Sequence, residues 1–429
     1  MRFPLPLAEV LMHIDAHLGF SVVPLETGDE IDVLLKLTAP PPDDRGDRPP
    51  ATLEVVLDRS GSMSGPPLEG AKGALLGLVD RLDPADNFGL VSFDDTARVE
   101  IPAGPLTDKA AARRAIAALK PGGSTDLSSG LLRGVQEARR VVGESGATLL
   151  LISDGHANLG IVDHAALAGI ASDALHHHVS TTALGYGLGY DEKLMAAVAD
   201  GGAGSALHAE DPDTAGRLIS TEVEHLLAKV VQAASLTIVP RPPVTSVSLY
   251  GGLPASALPD GSVLVELGDF YGGECRKLLL SLAVPGIATL GLATIADIRL
   301  TCFATQTLTT YTADVPVTVN VVPGDEAAGR VPDPVVRAER LFQDIQDAKR
   351  QASDALIEGD VERAIELLDS TASSVKEALS WAPNRDELAR EALELEIYKS
   401  RAGKDANRIS KTMRSSSHLR NRKRGRPGE

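Results

Sequence analysis

Residues 51–65 read ATLEVVLDRSGSMSG. Within them, residues 52–57 form a short run rich in Val and Leu, bounded upstream by Pro49 and Pro50. This predicts a buried parallel strand. The run ends on a carboxylate, Asp58. Two hydroxyls follow at alternate positions, Ser60 and Ser62, with Gly61 between them to allow a tight turn. Residues 68–81 then predict a helix. A carboxylate and two hydroxyls therefore stand where a strand hands over to a helix, the edge of an open α/β sheet at which ligands bind.

These groups suit a small, hard divalent cation. Mg²⁺ takes six oxygens in near-octahedral order and keeps several waters, so one loop is too few. Two downstream strand-to-helix loops offer more oxygens. Residues 121–127, PGGSTDL, present Thr125 after a Gly pair. Residues 149–155, LLLISDG, form another buried strand ending in a carboxylate, Asp154. Capping residues in the loops of a Rossmann-like domain would account for single Ser or Asp residues, but not for the whole set.

The set Asp58, Ser60, Ser62, Thr125 and Asp154, in that order, resembles the metal-ion-dependent adhesion site of von Willebrand factor A (VWA) domains, as in integrin I domains. Bacterial multidomain proteins of this type look similar. The resemblance implies a doubly wound, mostly parallel six-stranded sheet. It implies Mg²⁺ or Mn²⁺ as cofactor. Ser60, Ser62 and Thr125 would be direct ligands, with Asp58 and Asp154 acting largely through waters. A partner's acidic side chain would take the open coordination position.

The α/β alternation is regular over residues 51–231, where residues 97–101 would be the antiparallel edge strand. Expected helices include 107–119, with Thr107 as its N-cap, and a long closing helix at 213–231. Residues 20–24 and 30–37 look like strands. Residues 232–323 hold about six more, separated by Gly, Pro and Asp turns, which is an antiparallel sandwich pattern. The expected arrangement is therefore an α/β domain inserted in a β-sandwich, with the strands of residues 1–50 completing the sandwich. From 334 to 402 the period becomes helical, which predicts a three-helix bundle. The basic stretch 403–429 is expected to be a disordered tail.

The 429 residues carry a net charge of −17. Residues 411–429 hold seven Lys/Arg against one Glu, so the rest carries −23. Such acidity argues against a nucleic-acid footprint on the body. Arg424 and Arg426 match the core of an AT-hook, a minor-groove DNA contact, in a single short copy. Arg45-Gly46-Asp47 reads as three common loop residues rather than an adhesion sequence. Cys275 and Cys302 read as thiols rather than a bridge. No run is long and apolar enough to span a membrane and no signal peptide is legible, so a cytoplasmic protein is expected.

Neither G-x-x-x-x-G-K-[ST] nor G-x-S-x-G occurs, which disfavours an ATPase or hydrolase. The expected function is a non-enzymatic, Mg²⁺-dependent protein-binding module. Alternatives are an accessory subunit of an ATP-driven or modification-linked complex, and a DNA-associated protein acting through its tail.

Overall fold

The computed structural model describes residues 12–41, 48–143, 146–305, 307 and 309–422. Arg45, Gly46, Asp47, Arg424 and Arg426 lie outside the described residues. The chain opens with strands β1 (His13–Leu18), β2 (Val22–Pro24) and β3 (Asp29–Thr38). β1 pairs antiparallel with β3, while β3 pairs along its length with residues 275–284 and β2 runs parallel to residues 320–322. The first strands thus find their partners on the far side of the α/β region.

That region comprises β4 (Thr52–Asp58), α1 (Pro66–Arg81), β5 (Asn87–Phe93), β6 (Ala97–Pro105), α2 (Lys109–Ala118), α3 (Leu127–Val141), β7 (Ala147–Ser153), α4 (His164–His176), β8 (Val179–Tyr186), α5 (Glu192–Gly201), β9 (Ala203–Ala209) and α6 (Pro212–Leu227). The sheet order is β6-β5-β4-β7-β8-β9, with only β6 antiparallel to its neighbour. All seven residues of β4 are buried. Their side chains alternate between faces: Leu53, Val55 and Leu57 join the core beneath α1 and α6, and Val56 joins the one beneath α3 and α4. Two details differ from the sequence reading. Asp108 rather than Thr107 caps α2, its carboxylate accepting from the Ala111 amide. The helix expected to run to 231 stops at Leu227, because Val230 and Val231 already belong to a strand in which β-branched side chains pack well.

That strand, β10 (Lys229–Pro240), begins the second half of the sandwich, followed by β11 (Ser246–Leu249), β12 (Ala255–Ala257), β13 (Val263–Tyr271), β14 (Cys275–Val284), β15 (Gly291–Ala304) and β16 (Thr309–Val322). The two sheets, β1-β3-β14-β11 and β12-β13-β10-β15-β16-β2, enclose one aliphatic core that draws on Ile31, Val33 and Leu35 from one side and Leu236, Ile238 and Ile298 from the other. Cys275 and Cys302 are free thiols, and burial pushes the Cys302 thiol up to about 11.

A short helix, α7 (Gly324–Ala327), leads into α8 (Pro334–Ile357), α9 (Val361–Ala378), α10 (Arg385–Ala402) and α11 (Ala406–Arg422). The last of these corrects the expectation of a disordered tail from residue 403 and of a three-helix bundle. α11 carries few apolar residues, but Ile409 and Met413 are buried in the bundle core. Its cations meet acids of the body: Arg408 with Glu210, Lys411 with Glu192, Arg414 with Asp354, and Arg420 with Glu391 and Glu394. It also closes the free edge of β9. The Ala206 amide donates to His418 Nδ1 at 3.1 Å, and Ser415 Oγ donates to the Ala206 carbonyl at 3.2 Å. Three of the seven cations in residues 411–429, Lys411, Arg414 and Arg420, are thus matched internally.

Within β4, Glu54 is fully buried, and neither of its oxygens has a hydrogen-bond partner among the described residues. It fits because Gly89 lies opposite it; a Cβ there would overlap its carboxylate. Burial, with repulsion from Glu137, pushes its pKa up to about 9, against the ordinary 4.5. Between those values the folded protein holds a proton that the unfolded chain has released. Stability therefore falls as pH rises across this interval, by up to about 1.4 kcal/mol per pH unit. Glu54→Gln should melt like the parent near pH 4.5 and clearly above it at pH 8, a difference that thermal melts across the range will read. Met413→Ala, in a fully buried position, should cost about 2–5 kcal/mol in urea denaturation. A free tail would show no cost.

Candidate functional site

The site begins with two adjacent strands. β4 and β7 run side by side with Leu57 opposite Ile152, so Asp58 and Asp154 leave the sheet next to each other. The strand order reverses direction at this pair, the crevice where doubly wound sheets bind ligands.

Asp58 is fully buried. Its Oδ1 accepts from the Ser60 amide at 2.8 Å, and its Oδ2 accepts from Ser153 Oγ at 2.6 Å. Ser60 Oγ and Ser62 Oγ lie 3.1 Å apart, and Ser62 Oγ donates to Asp154 Oδ1 at 2.8 Å. Thr125 arrives on the turn between α2 and α3, a helix-to-helix connection rather than the strand-to-helix loop expected, and that turn is laced to the first loop: the Gly61 amide donates to the Gly123 carbonyl at 3.0 Å, and the Gly122 amide to the Arg59 carbonyl at 2.8 Å. Asn158 fixes Thr125 from the other side. Its Oδ1 accepts from the Thr125 amide at 3.0 Å, while its own amide donates to the Thr125 carbonyl at 3.1 Å.

The side chains of Asp58, Ser60, Ser62, Thr125 and Asp154 are thereby gathered at one place. Gly155 measures the convergence. A Cβ on it would stand 3.4 Å from Thr125 Oγ1, 3.6 Å from Ser62 Oγ and 3.9 Å from Asp58 Oδ2. Three side-chain oxygens, two from the end of β4 and its loop and one from the Thr125 loop, thus face one small space beside Gly155 on a third. Only two of the five groups are carboxylates. Among the described residues, no cluster of three or more His, Cys, Asp or Glu is arranged to hold an ion. The hydroxyls therefore decide the character of the site, an all-oxygen donor set of modest charge that suits a hard cation.

The electrostatics agree with that chemistry. Burial holds the Asp58 carboxyl above its ordinary range, against the lowering pull of its hydrogen bonds to Ser153 and Ser60. Burial also pushes Asp154 up to about 6, opposed by the Ser62 hydrogen bond and aided by the nearby Asp58 charge. Two crowded carboxylates favour a compensating positive charge between them.

Sequence reasoning missed the supports: Ser153, Gly155, Asn158, Arg59 and Asp94. Ser153 had a signal, since it immediately precedes Asp154 and so falls beside Asp58 on the neighbouring strand. The Arg59–Asp94 pair had none. Both side chains are buried, joined as an ion pair, with Arg59 also donating to the Lys120 carbonyl at 3.1 Å. They tie together the loops after β4, β5 and α2. Asp94→Ala would strand that guanidinium and should cost about 3–5 kcal/mol, measurable by chemical denaturation. A loss below about 1 kcal/mol would mean that the pair is no brace.

The family model of the von Willebrand factor type A domain matches residues 53–221. An uncharacterised protein of Synechocystis is 33% identical over 252 residues, which are 56% of this chain and 59% of that protein's length. Two solved structures share the fold more widely. The von Willebrand factor type A protein from Catenulispora acidiphila superposes with a TM-score of 0.68 at 16% identity, over 85% of this chain and 87% of that one. The ArnB paralog VWA2 from Sulfolobus acidocaldarius does so with a TM-score of 0.67 at 15% identity, over 98% of this chain and 100% of that one.

Proposed function

We propose that the von Willebrand factor type A domain carried by this chain is a non-enzymatic protein-binding module that engages a partner's carboxylate through Mg²⁺ or Mn²⁺. Domains of this family commonly mediate protein–protein interactions. The observation that carries the reading is the approach of Thr125 Oγ1, Ser62 Oγ and Asp58 Oδ2 around the space above Gly155.

In this reading Ser60, Ser62 and Thr125 would hold the ion directly, and Asp58 and Asp154 would act largely through waters. When bound, the ion supplies a Lewis-acidic position open to an incoming carboxylate. The protein's part is orientation and charge. Ser153 and the Ser60 amide fix Asp58, and Asn158 fixes Thr125. Because the direct ligands are neutral hydroxyls, little of the ion's charge is cancelled, and a partner's acid is attracted. Nothing in the cluster favours bond cleavage. The serine hydroxyls lie against each other and against Asp154, and His156, the histidine nearest in sequence, is directed to Asp191 at 3.8 Å. Among the described residues, no helix is long and apolar enough to cross a membrane.

Saturating the site at one hundred times its dissociation constant should stabilise the fold by about 2.7 kcal/mol. Thermal melts with millimolar Mg²⁺ or Mn²⁺ will read this as a rise in Tm. Asp58→Asn and Gly155→Val should each abolish the rise, the first by removing the anchoring charge and the second by filling the space. An equal rise in wild type and both variants would refute the assignment.

A further inference from the structure

The loops beside this oxygen cluster leave several large aliphatic side chains in water. Leu159 is 42% exposed, Ile161 40%, Val162 50% and Leu188 41%. Single exposed aliphatics are ordinary, but a group of them around one cleft marks an interaction surface. Leu159, Ile161 and Leu188 sit on anchored backbone. The Leu159 amide donates to the Thr125 carbonyl at 3.2 Å, and the Ile161 amide to Ser128 Oγ at 3.0 Å, so their strap lies along the Thr125 turn. Leu188 borders the opposite side, where a Cβ on the next residue, Gly189, would stand 3.2 Å from the Asp154 carbonyl. α11 braces this loop from behind. Asn407 Nδ2 donates to the Leu188 carbonyl at 3.2 Å, and Lys411 Nζ to the Tyr190 carbonyl at 2.6 Å. The rim is built on fixed backbone, so a partner meets it at low ordering cost.

The charge around it narrows the choice of partner. Residues 59–66, 94–96, 121–126, 154–163 and 187–191 form the mouth. They include no Lys and one Arg, and that Arg59 is buried against Asp94. Asp94, Asp95, Asp126, Asp154, Asp163 and Asp191 all belong to it. Without a cation such a mouth repels an acid, and with one it presents a single point of attraction beside an aliphatic wall. We propose that this rim docks an extended segment of a partner protein in which an aspartate or glutamate is flanked by aliphatic side chains. The acid faces the cation, and the aliphatics cover Leu159, Ile161, Val162 and Leu188. The proposal rests on the cation-mediated reading above and adds to it the class of sequence recognised. Affinity then divides into two parts: a chelator-sensitive contact through the carboxylate, and an apolar contact that salt leaves alone.

The test uses the full chain and four fluorescent heptapeptides in millimolar Mn²⁺: a central glutamate flanked by leucine and valine, the same with serines as flanks, and the aliphatic version with glutamine or with lysine at the centre. Anisotropy should show the aliphatic glutamate peptide binding at least tenfold more tightly than the serine-flanked one, with chelation of Mn²⁺ releasing both. The double variant Ile161→Ser, Leu188→Ser should lose that advantage, yet keep the serine-flanked affinity and the Mn²⁺-induced rise in Tm, which also certifies its fold. Equal affinity for the two glutamate peptides, or an unchanged advantage in the variant, overturns the rim and leaves the cation reading standing. Binding of the glutamine or lysine peptide as tightly as the glutamate one overturns the acidic partner. Absence of both the Tm rise and any glutamate-dependent binding overturns both readings. Self-association that the double variant abolishes in sedimentation would assign the rim to a second copy of this chain instead, and overturn the proposal.

Discussion

A carboxylate buried at the end of a central strand must be satisfied on the spot, and in this protein that carboxylate is Asp58. β4 is covered on both faces, so water cannot do it. The Ser60 amide and Ser153 hydroxyl meet its two oxygens, and each brings its own loop into position. The loop after β4 is then laced to the one before α3 through Gly61 and Gly122. The Arg59–Asp94 pair fastens the outer side of the same assembly. One unscreened charge thus accounts for much of the local architecture, and for the hydroxyl-rich surface beside it.

A second constraint acts at the scale of the whole chain. The body is strongly acidic, while residues 411–429 hold seven Lys/Arg against one Glu. α11 brings part of that charge home, bridging the edge of the α/β sheet to the helical region through ion pairs on both sides. The same helix supplies polar partners to the unpaired edge of β9, a row of backbone groups that would otherwise invite pairing with another chain. Because α11 also braces the loop carrying Leu188, the helical region and the mouth of the site are mechanically continuous.

Burial runs through the interior in less obvious forms. Glu54 occupies an inward position of the central strand, in the space left by Gly89, close to Glu137 and the arginines that neutralise it. Lys349, fully buried, is held between Glu391 and Glu394 in the helical region. Such groups add little net stability, but they admit few alternative packings, because each misplacement leaves a bare charge.

The sequence by itself determined the α/β alternation, the parallel strands, and the five side chains that gather at the cleft. Those features are local. Buried strands read as unbroken Val and Leu runs, two of them ending at a carboxylate, and the Gly pair at 122–123 marks the turn between two helices. The tertiary structure decided what depended on distant partners. β1 was not legible, because His13–Leu18 mixes polar and apolar residues and becomes a strand by pairing with β3. The join of α6 to β10 was misread, because Val230 and Val231 can continue a helical pattern until two neighbouring strands claim them. α11 read as a loose basic tail because its few apolar residues give a weak period. Its helix is held by acids that lie from 26 to 219 residues away in the chain, and no local pattern records an ion pair across that separation.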